Sequence, residues 1–279
     1  MADERALVLG GGGVAGIAWE TGIVAGLAEA GLDVTNADLL VGTSAGANVA
    51  AQIGSGLSIG ELFQRQVDPA LQSHEIVPPG NPIPLLLETW NAIAEEAEGD
   101  QAEITRRLAA AALRADTIPE PDRRAVIESR LPVHDWPDRE LLVLAVDGAT
   151  GEPRVFHRDS GVSLVDAVTA SSAVPLIWPA VTIEGVRYVD GGVRTSTNSD
   201  YATGANRILV IAANPDVHLD AEVAALTADG ALVEVIRPDE PSLTAFGANP
   251  LDTATRLPAA ECGRGQGKSE AARIAALWS

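Results

Sequence analysis

Two short apolar runs, each followed by glycine and then by a helical pattern, constrain the fold of this chain more than any other feature. Residues 6–10 read Ala-Leu-Val-Leu-Gly, and residues 39–42 read Leu-Leu-Val-Gly. Continuous apolar runs of this kind are typical of strands that are buried on both faces of a parallel sheet. Helices are predicted after them, over residues 19–30 and 47–53. The order strand, helix, strand, helix predicts right-handed parallel crossovers and therefore an α/β fold.

The rest of the chain continues this pattern after one interruption. Further strands are predicted at residues 141–146, 154–157, 187–189, 208–212 and 232–236, with helices at 221–228 and about 270–278. Between Pro78 and Pro137, prolines bracket two helical stretches, near residues 85–98 and 103–114, without a strand signal. We expect a single domain over residues 1–279, with a helical insertion or cap at about 78–137. The proline-rich stretch 238–258 is expected to be irregular.

The composition excludes several kinds of site and partner. The chain of 279 residues has one cysteine, which excludes a disulfide framework and a cysteine-based zinc site. Its four histidines do not lie at metal-ligand spacing, and we expect neither a metal nor an organic cofactor. The formal net charge is −20 and Lys268 is the only lysine, which argues against a nucleic-acid partner.

Other features of the sequence concern membranes. The chain has no polybasic segment that would attract it to an anionic lipid surface. No stretch of about 18 apolar residues occurs, and acidic residues stand near the N-terminus where a secretory signal needs basic ones. We therefore expect a cytoplasmic protein with at most transient, peripheral membrane contact. The sequence leaves its oligomeric state open.

A glycine-rich loop, Gly10-Gly11-Gly12-Gly13-Val14-Ala15-Gly16, follows the first predicted strand. Glycines let the backbone approach a ligand, and the N-terminus of the next helix offers free N–H groups to an anion. Such a loop serves dinucleotide binding or an oxyanion hole, and a tight turn without a ligand is the third possibility. Dinucleotide binding requires an acidic residue at the end of the second strand, where this chain has Gly42-Thr43-Ser44. The oxyanion hole is therefore favoured.

The second motif, Gly42-Thr43-Ser44-Ala45-Gly46, predicts a nucleophilic serine. In G-x-S-x-G a strained strand-to-helix turn exposes the serine Oγ, and the helix dipole favours developing negative charge. A serine hydroxyl also needs a base. His218 is a nominal candidate of the α/β-hydrolase kind, but those enzymes carry several strands before the nucleophile, whereas Ser44 follows the second strand.

The third motif, Tyr188-Val189-Asp190-Gly191-Gly192, offers an aspartate as that base. Asp190 ends a predicted strand, from which its carboxylate can point into a cleft beside Ser44. A purely structural turn aspartate is the alternative. Asp147-Gly148-Ala149 has a similar form, but it lies between two predicted strands and is typical of a hairpin turn. An aspartate base is expected to stay active at lower pH than a histidine base, whose ordinary pKa is near 6.5.

The three motifs together resemble those of the patatin-like phospholipase family, in which a G-G-G-x-[RK]-G loop, G-x-S-x-G and D-G-A/G follow in this order. The resemblance extends to Ala170-Ser171-Ser172-Ala173-Val174-Pro175 and covers most of residues 6–213. It implies a three-layer α/β/α sandwich with a mainly parallel central sheet, and a Ser–Asp dyad of Ser44 and Asp190. It also implies that Gly11, Gly12 and Gly13 supply the oxyanion-hole amides, supported by Gly16, Gly42, Gly46, Gly191 and Gly192.

The activity that the resemblance implies is hydrolysis of fatty-acyl esters of lipids through an acyl-enzyme, without a metal. Ala15 departs from the family, which often has Arg or Lys before the last glycine of the loop. Neutral esters and short acyl chains therefore remain alternatives to phospholipids. Two other functions stay open: an esterase or thioesterase for non-lipid substrates, and a non-enzymatic regulatory or ligand-binding module on the same fold.

Overall fold

The centre of the fold is a mainly parallel sheet, seen in a computed structural model that describes residues 4–78 and 80–278. Within these residues the sheet has eight strands, in the order β5-β6-β3-β2-β1-β7-β8, with β4 against β3. Strands β1, β2, β3, β7 and β8 are parallel, whereas β4, β5 and β6 pair antiparallel. The strands are β1 (Arg5–Leu9), β2 (Leu39–Thr43), β3 (Glu140–Asp147), β4 (Pro153–Phe156), β5 (Val181–Ile183), β6 (Val186–Asp190), β7 (Arg207–Ile211) and β8 (Leu232–Ile236).

Helices cover both faces of this sheet, which confirms the predicted α/β sandwich. They are α1 (Gly13–Glu29), α2 (Ala45–Ile53), α3 (Ile59–Val67), α4 (Ile83–Glu96), α5 (Gln101–Ala112), α6 (Glu120–Arg130), α7 (Leu164–Ser171), α8 (Leu219–Ala228), α9 (Glu240–Phe246) and α10 (Arg256–Trp278). In β1, Leu7 and Leu9 pack into a core with α1, α2, α7 and α10. Ala6 and Val8 point to the other face, where α8 packs. The alternation gives each face its own apolar core.

The stretch between Pro78 and Pro137 contains a helix that the sequence analysis missed. Besides α4 and α5, the chain forms α6, with Pro121 in its first turn. The sequence pattern indicates a boundary at these prolines, but proline is well tolerated in the first turn of a helix because no intrahelical N–H bond is lost there. Helix α5 packs on the sheet through Leu108 and Ala109, beside Val146 of β3 and Val189 of β6.

Three shorter elements also escaped prediction. Helix α3 begins at a capping box in which Ser58 and Glu61 satisfy each other's backbone N–H groups. The stretch 238–258 is not wholly irregular, because Asp239 caps α9 and Pro241 occupies its first turn. Strand β5 is only three residues long and forms a hairpin with β6. Short elements of this kind give little periodic signal.

The C-terminal helix is much longer than predicted. The sequence predicts a start near residue 270, but α10 begins at Arg256 and continues through three glycines, Gly263, Gly265 and Gly267. Two of these glycines, Gly263 and Gly267, pack against Gly22 and Gly26 of α1. A Cβ atom on any of the four would lie 2.2–2.3 Å from a backbone oxygen of the other helix. In this glycine seam the two backbones approach so closely that only glycine fits, and the packing outweighs the poor helix propensity of glycine.

The ends of β2 and β6 meet along β3, and this meeting positions the site. Thr43, the last residue of β2, pairs with Leu144 of β3, and Asp190, the last residue of β6, pairs with the adjacent Ala145. Strand β4 occupies one edge of this part of β3, so β2 and β6 share the other edge. Because β2 runs parallel to β3 and β6 antiparallel, their carboxyl ends point toward each other. Ser44, directly after β2, is thereby brought to Asp190.

Candidate active site

Ser44 lies in the sharp turn between β2 and α2. Its backbone angles are φ 55° and ψ −112°, a conformation that costs a non-glycine residue strain and is typical of a nucleophile elbow. The turn is possible because Gly46 has no side chain: a Cβ atom there would lie 2.0 Å from the carbonyl oxygen of Leu9. The N–H of Gly46 instead donates to the carbonyl of Gly10 at 2.8 Å, which ties the serine turn to the glycine-rich loop.

Three polar side chains, to which the sequence analysis gave no role, hold this turn through hydrogen bonds. The N–H of Ser44 donates to Oγ of Ser171 at 2.9 Å. The carbonyl of Ser44 accepts from Nδ2 of Asn48 at 2.9 Å, and the same nitrogen lies 3.0 Å from Oγ of Ser172. Asn48 lies four residues after the serine in an alanine-rich buried helix. A polar residue at such a position was the sequence signal that could have indicated its role. These groups fix the backbone that carries the Ser44 hydroxyl.

Asp190 is buried beside Ser44, with only 4% of its surface exposed. Its Oδ1 accepts the N–H of Gly192 at 2.7 Å. Its Oδ2 meets no donor in good hydrogen-bond geometry within the described residues. The Ser44 hydroxyl nevertheless lies close enough to lower the pKa of the carboxyl.

Burial raises the pKa of Asp190 to about 6, against the opposing effects of the Ser44 and Gly192 hydrogen bonds and the Arg123 charge. The carboxylate form, which a base requires, is therefore lost below about pH 6. We expected an aspartate base to act at clearly lower pH than a histidine. The burial of Asp190 corrects that expectation, because its pKa comes close to that of an ordinary histidine.

The predicted oxyanion glycines differ in how their N–H groups are used. The N–H of Gly11 donates to the carbonyl of Ser196 at 2.9 Å, so it is already engaged. The N–H groups of Gly12 and Gly13 have no partner in the described part of the chain, and they stand at the N-terminus of α1. Helix α1 begins at Gly13 rather than at residue 19, and Gly16 closes its first turn by donating to the carbonyl of Gly12 at 2.8 Å. Free N–H groups at a helix N-terminus suit an anion.

The remaining motif positions lie where the chain turns around the two strand ends. Gly42 is in β2 and packs against α2, while Gly191 and Gly192 form a 3-10 turn directly after Asp190. Asp147 is placed apart from the site: its Oδ1 accepts the N–H of Ala149 at 2.8 Å in the predicted β3–β4 hairpin.

No histidine reaches the serine. All four histidines lie in the described residues, and none of them lines the cleft that contains Ser44. Nε2 of His218 contacts Oε1 of Gln101 at 3.0 Å instead. The acid on whose pKa the Ser44 hydroxyl acts is Asp190.

The cleft has two walls of different origin. The sheet wall consists of Ser44, with Asp190 beside it, and the start of α1. The arginine wall consists of Glu75, Arg123 and Arg130, which line the same cleft as Ser44. The arginine wall was not foreseen in the sequence, because Glu75 lies in an irregular segment and the two arginines lie on the unpredicted helix α6.

Glu75 is held by two buried arginines. Arg130 forms a bidentate pair with it, Nε to Oε1 at 2.9 Å and Nη2 to Oε2 at 2.7 Å, and Nη2 of Arg256 donates to Oε1 at 2.7 Å. Burial alone would raise the pKa of the Glu75 carboxyl, but the charges of Arg130 and Arg256 outweigh burial, and its pKa is lowered. Glu75 is therefore a fixed anion.

Arg123 has no such partner. Only 3% of its surface is exposed, and its guanidinium carbon lies 4.0 Å from the ring centre of Trp178. Its Nε and Nη1 make no hydrogen bond in the described structure. Burial, together with repulsion from Arg130, lowers its pKa to about 9, so it remains charged at neutral pH. A signal was present: Arg123 and Arg130 share one face of α6 with the buried Val126 and Ile127.

The described residues contain no group of three or more histidine, cysteine, aspartate or glutamate side chains that could hold a metal ion. Within the same ranges, 4–78 and 80–278, we find no helix of the length and apolar character needed to cross a membrane.

Comparison with solved structures shows the fold. The chain is similar to VipD from Legionella pneumophila, with a TM-score of 0.50 and 15% identity over 97% of this chain and 67% of VipD. The type III effector protein ExoU gives a TM-score of 0.40 and 17% identity over 96% of this chain and 53% of ExoU. A search among curated proteins finds no match.

Comparison with protein families is more specific. The model of the patatin-like phospholipases matches residues 7–203. This range is more than half of the chain, and it contains the glycine-rich loop, Ser44 and Asp190. The chain therefore belongs to the patatin-like phospholipase family.

Proposed function

We propose that the protein is a serine acyl hydrolase that cleaves fatty-acyl ester bonds of lipids. The observation that carries this proposal is the meeting of β2 and β6 along β3, which brings a strained, small-residue serine turn against a buried, incompletely hydrogen-bonded aspartate. A structural aspartate would be expected to use both carboxylate oxygens. The free Oδ2 of Asp190 supports a role as base.

The proposed reaction begins when Oγ of Ser44 attacks the ester carbonyl carbon and Asp190 takes its proton. The N–H groups of Gly12 and Gly13 bind the oxygen that becomes negative, a contribution worth about 10²–10³ in rate for each donor in other enzymes. When the tetrahedral intermediate collapses, the alcohol leaves with the proton from Asp190, and Ser44 keeps the acyl group. Water, activated by Asp190, then releases the fatty acid and restores Ser44.

This role of Gly12 and Gly13 narrows the predicted oxyanion set. Gly11 would have to leave the carbonyl of Ser196 before its N–H could serve the reaction. We further propose that the chain acts as one catalytic domain, with residues 78–137 as a helical insertion. In support, α5 packs on the sheet, whereas α6 supplies side chains to the cleft.

A fluorophosphonate probe tests the nucleophile. We expect covalent labelling of the wild-type protein and no labelling of Ser44→Ala, with Ser269→Ala on the exposed side of α10 as the matched control. Mass spectrometry of the labelled peptide then identifies the modified residue. Folded wild-type protein that resists the probe would favour the non-enzymatic ligand-binding module, and labelling elsewhere would refute Ser44.

A second measurement separates the lipid hydrolase from an esterase or thioesterase for other substrates. Acyl esters of increasing chain length, with and without a headgroup, are compared with short thioesters. We expect kcat/KM to rise with the acyl chain for esters. A preference for short thioesters would contradict the lipid substrate while leaving the dyad intact.

A further inference from the structure

The arginine wall carries more positive charge than its own acids neutralise. Arg123, Arg130 and Arg256 are all buried, with Glu75 as the carboxylate among them. Arg130 and Arg256 both bind Glu75, so Arg123 is left without an ion pair in the described structure. Asp190 is the other buried acid whose charge acts on Arg123, and it does so without a direct bond.

Unused donors gather around Arg123. Its Nε and Nη1 have no acceptor in the described residues, and Nε1 of Trp178, the ring on which it stacks, also has none. Leaving buried donors without partners is costly, most of all on a charged group. An unpaired buried group of this kind requires an explanation, and an acceptor supplied by a ligand is one.

The position of Arg123 relates it to the reaction. Arg123, Trp178 and Ser44 line one cleft. The planar guanidinium fork matches phosphate oxygens better than any other side chain. Position 15, where the family often has a cation, holds a fully buried alanine. The glycine-rich loop of this chain therefore has no cation at position 15, but Arg123 on α6 places a cation in the lining of the cleft.

We propose that Arg123 binds the phosphate group of a glycerophospholipid substrate while Ser44 attacks its acyl ester. This assignment rests on the proposed function and deepens it, because it names the residue of this chain that would determine the headgroup specificity. Arg130 and Arg256 keep Glu75 occupied, so that the charge of Arg123 is available to the substrate. Arg123 is then a specificity-determining residue, because its charge favours lipids with a phosphate group over lipids with a neutral headgroup.

The test compares two substrates that differ only in phosphate, dioctanoylglycerol and dioctanoyl phosphatidic acid, both in neutral detergent micelles. In Arg123→Met we expect kcat/KM for the phosphatidic acid to fall about 10–100-fold, the range for a charge-assisted hydrogen bond. The assays are run at pH 8, so that Asp190 stays ionised although its pKa rises without the Arg123 charge, and for dioctanoylglycerol we expect a change below about threefold. Arg123→Lys keeps the charge and should recover part of the loss. Arg124→Met is the matched control, since Arg124 is the next residue of α6 and is partly exposed, paired with Asp166 and Glu128.

Other outcomes would overturn the assignment. An equal loss on both substrates in Arg123→Met would mean that Arg123 acts through Asp190 or through the fold. No loss on either substrate would mean that the phosphate does not bind there. Because the buried charge has no partner, Tm of Arg123→Met should not fall below that of Arg124→Met, and a large fall would indicate a structural residue.

Inhibition of the unaltered protein gives a measurement that does not depend on the variant. Inorganic phosphate and dimethyl phosphate should compete with dioctanoylglycerol, whereas acetate at equal ionic strength should not. Equal inhibition by acetate would contradict phosphate recognition. If the wild-type protein hydrolyses neither lipid, the proposed function fails by itself. Calorimetric titration of Ser44→Ala with dimethyl phosphate, with and without Arg123→Met, then tests the anion site alone.

Discussion

Each wall of the cleft contains a buried carboxylate, and the pKa values of the two carboxylates are shifted in opposite directions. Asp190 in the sheet wall has one N–H donor, and burial raises its pKa to about 6. Glu75 in the arginine wall has two arginines, and its pKa is lowered although burial acts in the other direction. Burial alone therefore does not set the chemistry of an acid. For these two carboxylates, the direction of the pKa shift follows the cations in direct contact: two arginines lower the pKa of Glu75, whereas no cation of the described residues binds Asp190 and burial raises its pKa.

The largest expected effect comes from the sheet wall. Asp190→Asn removes the proposed proton acceptor while it keeps the shape of the side chain and the bond from Gly192. We expect kcat/KM for a short-chain ester to fall about 10³-fold, within the usual range for a general base. Asp147→Asn is the control, because Asp147 has the same turn chemistry away from the cleft. A tolerant Asp190→Asn variant would remove Asp190 from the dyad.

The next largest effect is expected when the anion of the arginine wall is removed. Glu75→Gln leaves Arg130 and Arg256 buried without their anion, so we expect the free energy of unfolding to fall by about 4 kcal/mol at pH 7 in urea titrations. Since the pKa of Glu75 is lowered, its stabilising effect is present at neutral pH and is lost as the pH falls below 4.5. Glu29→Gln is matched, because Glu29 also contacts two cations but is exposed, and a change below about 1 kcal/mol is expected there. Equal losses of unfolding free energy in the two variants would contradict the special role that the arginine wall gives to the buried Glu75.

A smaller effect of opposite sign is expected from Asp190. Its pKa is raised from 3.8 to about 6 in the folded protein, so its ionised form destabilises the fold. The resulting penalty is absent below pH 3.8, grows between pH 4 and 6, and is complete above pH 6. Asp190→Asn should therefore stabilise the protein by up to about 3 kcal/mol at pH 8 and by little at pH 4. Unfolding curves at these two pH values measure the difference, and a variant less stable than wild type at pH 8 would contradict it.

The sheet wall was accessible to sequence reasoning because its residues stand at strand ends. Apolar runs followed by glycine located Ser44, and the D-G-G turn located Asp190. The register along β3, which makes β2 and β6 end face to face, could not be predicted, since it depends on pairing between strands far apart in the chain. The state of the Gly11 N–H depends in the same way on the distant Ser196.

The arginine wall was hidden for a different reason. Glu75 and Arg130 of the wall come from separated segments, as does Arg256, which also binds Glu75, and no local pattern links the three. On α6, two arginines occupy the buried face with Val126 and Ile127, and charges at such positions weaken the apolar periodicity that reveals a helix. The glycines of α10 are a second case of local propensity giving way to packing: glycine has poor helix propensity, and the contact with α1 outweighs it.

The glycine seam determines when, during translation, helix α1 acquires its packing partner. Helix α1, which begins in the glycine-rich loop, is translated before seven of the eight described strands, whereas α10 is translated after all of them. Until then, the glycine face of α1 has no partner of matching shape. The loop is therefore fully supported only after α10 has been translated, and the proposed hydrolase activity is not expected before that point.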